Sequence, residues 1–150
     1  MKKQILIPVI IVTALVVLAM SWWLVSPLFL NKTVNEQLPG ESSVSGNVEY
    51  EGTFVDADNF HKTSGTAKVV TIEGKRYVSL ESFQTTNGPD LYVYFSTSKD
   101  SSDVVSLGKL KGNRGNQNYE VPNGVDLRKY NTVIIWCKAF SVLFGSAELK

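Results

Sequence analysis

The 150-residue chain has one cysteine, Cys137, and one histidine, His61. A lone thiol closes no intramolecular disulfide, so the chain lacks the paired staples that small exported domains often carry. One Cys and one His are also too few for an ordinary four-coordinate zinc site unless carboxylates join them. The absence of a Cys-x-x-Cys-His run excludes covalent haem attachment of that kind. No Gly-x-Ser-x-Gly elbow is present to support hydrolysis. The Gly112–Gly115 stretch with Lys109, Lys111 and Arg114 is basic and glycine-rich. It lacks the Gly-Lys-Ser/Thr ending and the following helix of a phosphate loop.

Charge of one sign is scarce too. Setting aside Lys2 and Lys3, 13 of the 15 basic residues remain against 14 acidic ones. That balance provides no basic stripe, so no nucleic-acid partner is expected.

What the N-terminus does have is a run of 26 uncharged residues, Ile5–Leu30, behind Lys2 and Lys3. About 20 apolar residues cross a hydrocarbon core. Trp22 and Trp23 suit the membrane–water boundary, Pro27 and Asn31 end the helix, and the two lysines mark the cytoplasmic side. A cleaved signal peptide would have a shorter apolar region and a small-x-small site after it. The best candidate, Ala19-Met20-Ser21, lies inside the run. The expectation is a single-pass anchor over residues 1–30, with the C-terminal part on the outer side of the cytoplasmic membrane. Residues 31–46 include Pro39, Gly40 and several serines but few aliphatics, and read as a flexible stalk.

Residues 47–150 suit one domain. Helical periodicity is nearly absent, and short runs of Val, Ile, Tyr, Phe and Thr alternate with Gly, Pro, Asn and Asp. The expectation is all-β, an antiparallel sandwich or distorted barrel. Strands are expected over Val48–Val55, Thr66–Ile72, Arg76–Phe83, Leu91–Ser96, Asn118–Val121, Thr132–Cys137 and Phe140–Leu149. Glu73-Gly74-Lys75 marks a tight hairpin, and Gly145 a bulge. Leu91, Val93 and Phe95 share one face, with Tyr92 and Tyr94 on the other. Thr132–Cys137 is apolar on both faces, as in a central strand.

Several ordered motifs then stand out: Gly52-Thr53-Phe54; His61 before Gly65-Thr66-Ala67; Phe83-Gln84-Thr85-Thr86-Asn87-Gly88-Pro89-Asp90 leading into Leu91–Tyr94; Leu107–Gly112; Gly115–Tyr119; and Ile134-Ile135-Trp136-Cys137. Together, from about Tyr50 to Leu149, they resemble the DM-thirteen domain family. The resemblance implies electron transfer or other redox chemistry, with Cys137 at the family's cysteine position as nucleophile or haem ligand. No accompanying redox module lies in this chain, so an electron partner would be a separate protein.

Two readings of Cys137 stand side by side. One is a small apolar core residue. The other is a redox or ligand position, in which His61 supplies a second ligand to haem or to a soft transition metal. Trp136, Phe140 and Phe144 would then line a pocket for a flat cofactor, or else belong to the core. Asp56 and Asp58 would add oxygens, or simply make a turn. The leading function is a membrane-anchored redox module centred on Cys137. The alternative is a non-catalytic binding or cell-surface structural β-domain.

Overall fold

The computed structural model describes residues 2–39 and 47–150. The chain divides into two compact units, Met1–Leu30 and Asn31–Lys150. The first is a single helix, α1 (Lys2–Phe29), which continues past Pro27 and closes with the Leu30 N–H donating to the Ser26 carbonyl. Its side chains are exposed throughout residues 7–23. Judged on the described residues, no helix is long and apolar enough to cross a membrane.

The second unit holds eight strands: β1 (Asn47–Asp56), β2 (Thr63–Ile72), β3 (Lys75–Thr85), β4 (Leu91–Ser96), β5 (Val104–Lys109), β6 (Gln117–Glu120), β7 (Thr132–Cys137) and β8 (Val142–Glu148). They form one antiparallel sheet in the order β5-β4-β7-β8-β1-β2-β3-β6. The sheet curls into a nearly closed barrel, the second of the two expected architectures. The residues that follow β5 meet both its neighbour β4 and the far edge strand β6. As the chain leaves β5, the Leu110 N–H donates to the Leu91 carbonyl, and the Lys111 N–H to Gln117 Oε1 on β6.

The period-two reading of β4 holds. Leu91, Val93 and Phe95 enter the core, while Tyr92 and Tyr94 stack on the outer face. The β2–β3 hairpin turns through Glu73 and Gly74, both at positive φ, the backbone that a two-residue type I′ turn requires. β7 lies between β4 and β8, and Ile134, on its outer face, is as buried as the inward Val133 and Ile135. β8 begins two residues later than expected, because 138–141 form a turn with Ser141 at positive φ. The β7–β8 register shifts beside Phe144, one residue before the expected bulge at Gly145. β5 was not expected at all: Ser106 and Gly108 break its short apolar pattern.

The expected stalk behaves differently over its first half. Thr33 pairs in parallel with Arg114. The Val34 N–H donates to the Arg114 carbonyl and the Glu36 N–H to that of Asn116. Glu36 pairs with Lys111 at 2.7 Å and accepts the Asn118 N–H at 2.9 Å. Two glycines make room for this strap. A Cβ on Gly115, at φ +92°, would collide with the Val34 carbonyl, and one on Gly112 would lie 2.5 Å from that of Lys32. Residues 40–46, the rest of the expected stalk, lie outside the described residues.

Candidate functional site

Cys137 is the last residue of β7 and has no solvent exposure. Its register partners are Leu91 on β4 and Val142 on β8, and it belongs to the same buried cluster as Val133, Ile135 and Phe144. Lys138 follows it in the chain but is turned to the outer face, with Nζ 5.6 Å from the Tyr92 ring centre. Reactive cysteines sit in electropositive, partly exposed surroundings. This thiol has neither.

His61 lies in the loop joining β1 and β2. Asp58 organises that loop: one carboxylate oxygen accepts the Phe60 and His61 N–H groups at 2.7 and 2.8 Å, and the other lies 2.7 Å from His61 Nδ1. The hydrogen bond from His61, helped by the two backbone donors, lowers the Asp58 pKa to about 2. With Nδ1 held by Asp58, a neutral ring keeps Nε2 as its acceptor. The imidazole packs on Phe144, ring centres 4.3 Å apart, and its side chain keeps 27% exposure. Phe144 is held in turn by the Thr63 hydroxyl, which donates to its carbonyl at 2.8 Å. A Cβ on Gly88 would meet both Phe144 and Leu91. The imidazole therefore rests on the outer side of a core residue, whereas the thiol belongs to the core itself.

The three aromatic residues expected to form a pocket do not converge. Phe144 is buried in the core. Trp136 is half-buried on the opposite face of the sheet, paired with Tyr92 and Leu143. Phe140 is 68% exposed in the β7–β8 turn. The alternation of β7 and the extra residue in β8 place Trp136 and Phe144 on opposite faces of the sheet. A haem held by Cys137 does not fit this arrangement, because an enclosed sulfur leaves no face for the iron. Among the described residues, no three His, Cys, Asp or Glu side chains converge as metal ligands.

The basic loop is also resolved into separate parts. Lys109 pairs with Asp90 at 3.0 Å and Lys111 with Glu36. The loop's shape comes from Gln117, whose buried amide accepts the Lys111 and Gly112 N–H groups and the Tyr119 hydroxyl. Burial pushes the Tyr119 pKa up. The Asp58–His61 pair had a visible signal in Asp58-Asn59-Phe60-His61, but turn chemistry alone accounts for that spacing too.

A family model described as electron transfer DM13 matches residues 53–149, nearly all of the barrel. The chain belongs to that family. The DM13 match spans His61, Trp136, Cys137 and Phe140 alike and brings with it an electron-transfer-related role. No curated protein matches the chain. No solved structure matches it either.

Proposed function

We propose that this DM13 chain is a redox module displayed on the outer face of the cytoplasmic membrane, anchored by α1, with its chemistry centred on Cys137 and its electrons exchanged with a separate protein. The observation that carries the reading is the family match over residues 53–149. Burial shapes what that chemistry needs. Cys137 and Val142 form the last pair before an exposed turn, and opening at the end of a hairpin costs less than global unfolding. The thiol would be reached by fraying of that pair and would stay inert otherwise. The anchor rests on the uncharged run Ile5–Leu30 and on the Ile, Val, Leu and Trp side chains that α1 exposes.

The enclosed thiol also favours a second reading, a binding or structural β-domain in which Cys137 only packs. Alkylation of intact membranes separates the two. In the redox reading, mild oxidation protects Cys137 reversibly from a maleimide applied under partly denaturing conditions, and reduction restores labelling. Equal labelling after both treatments sinks the cysteine-centred reading. A purified full chain that takes up haem and loses its Soret band in Cys137→Ala would instead restore a haem ligand. Release of the chain by an alkaline carbonate wash would remove the anchor.

A further inference from the structure

A groove of about 200 Å³ opens beside the β1–β2 loop, lined by Asn31, Asp56, Lys62, Thr86, Asn87 and Arg114 among others. Its charged groups are two cations, Lys62 and Arg114, against one carboxylate, Asp56. The Arg114 main chain holds the strap, but among the described residues its guanidinium has no hydrogen-bond or ion-pair partner. Asn31 Oδ1 accepts from Asn87 Nδ2 at 3.1 Å and from Asn113 Nδ2 at 2.8 Å. Those two bonds fix the Asn31 amide and leave its own NH2 group without an acceptor. The Lys62 ammonium has one partner, Asp56 Oδ2 at 3.1 Å. Asp56 is the one carboxylate in the groove, and its other oxygen is already taken by the Thr63 N–H.

We infer that this groove binds a phosphate-type oxyanion, with Arg114 and Lys62 supplying charge and the Asn31 amide a neutral donor. Arginine suits the task because its planar fork meets two phosphate oxygens at once. The groove is small enough for one tetrahedral group. Two sources present that chemistry, free phosphate and the headgroup of an anionic lipid. The lipid source rests on the anchor reading above: Asn31 directly follows Leu30, the last residue of the apolar run. The Gly112–Gly115 loop contributes only Arg114, which is why its sequence did not disclose the site.

The test uses the full chain and follows the side-chain NMR signals of Arg114 and Asn31. One arm titrates inorganic phosphate into protein held in an uncharged detergent. The other compares nanodiscs of phosphatidylcholine with nanodiscs containing phosphatidylglycerol. Saturable shifts that weaken with salt are expected. Together, Arg114→Gln and Lys62→Gln should weaken binding by at least about tenfold, roughly fivefold per cation removed, while Lys75→Gln leaves it unchanged. Neither neutralised side chain is part of the core, so the backbone spectrum verifies that the variant is folded. Shifts in the lipid arm make the headgroup the source, and shifts confined to the phosphate arm make it the free ion. Absence of saturable shifts in both arms, or shifts that survive in the double variant, overturns the site. Failure of the anchor alone would abolish only the lipid arm.

Discussion

The His61 imidazole lies 4.3 Å from the Phe144 ring while its Nδ1 lies 2.7 Å from Asp58 Oδ2. One face of the imidazole is therefore held by the core and one edge by a carboxylate. Removing the ring in His61→Ala should raise the Asp58 pKa from about 2 toward its usual 3.8. The sign follows from the depressed value: the stabilisation is complete above the unfolded carboxyl's pKa and is lost as pH falls through the folded one. Carboxyl carbon shifts followed between pH 1 and 6 measure it. An unchanged midpoint in the variant would assign the shift to the backbone donors alone.

The enclosed thiol predicts an order among substitutions. Cys137→Ser places a hydroxyl among apolar side chains, at a cost of about 1–3 kcal/mol if it finds no partner. Cys137→Ala leaves only a small void and should cost less. Urea denaturation of both variants checks the order. A serine variant as stable as the native chain would mean that water or a polar group reaches this position.

Gly145 faces a similar constraint from shape. A Cβ there would collide with the Thr63 side chain, whose hydroxyl holds the Phe144 carbonyl. Gly145→Ala should destabilise the barrel by about 1–3 kcal/mol through overpacking. The His61 signals should broaden or shift as Phe144 moves. Wild-type stability together with an unperturbed His61 spectrum would show that the contact relaxes freely.

The strap gives a pH-dependent prediction. Burial opposes the Glu36 charge, but Lys111 and the Asn118 N–H outweigh it and leave the pKa below the usual 4.5. Protection of the Val34 and Glu36 amides from hydrogen exchange should be full above pH 4.5 and fall as pH drops through the lowered value. Lys111→Gln should reduce protection even at pH 7, by no more than the ~0.2–1 kcal/mol of an exposed pair. Protection factors that ignore both changes would leave the backbone pairing with Arg114 and Asn116, together with the amide contacts of Asn113 and Asn118, as the basis of docking.

The parts of the fold visible in the sequence were those written in side-chain periodicity. β4 alternates without a break, and the Glu73-Gly74 turn carries its conformational requirement in its residue types. β5 escaped because Ser106 and Gly108 interrupt Val104, Val105 and Leu107, and because its partner, β4, is what makes it a strand. The strap escaped for a different reason. Judged by the apolar surface it can bury, Asn31–Gln37 looks unable to order, yet its docking uses backbone hydrogen bonds, the side-chain amides of Asn31, Asn113 and Asn118, and the Glu36 carboxylate. The glycines that accept it, Gly112 and Gly115, stood out only as part of a basic loop without the ending of a phosphate loop. At the candidate site, the sequence singled out Cys137 and His61 as candidates but not their surroundings. The face of Trp136 follows from the alternation of β7, while Phe144 sits at the extra residue of β8, one position before the bulge expected at Gly145.

The docked strap also makes the 111–118 loop an inner layer of the domain. Val34 and Glu36 donate to the Arg114 and Asn116 carbonyls, Gln37 offers its own carbonyl to the Asn118 amide, and Gly112 and Gly115 leave the space that the strap fills. A domain boundary drawn at the start of β1 would therefore strip these partners away and bare two glycine-lined hollows to water. One drawn at Asn31 keeps the cover in place.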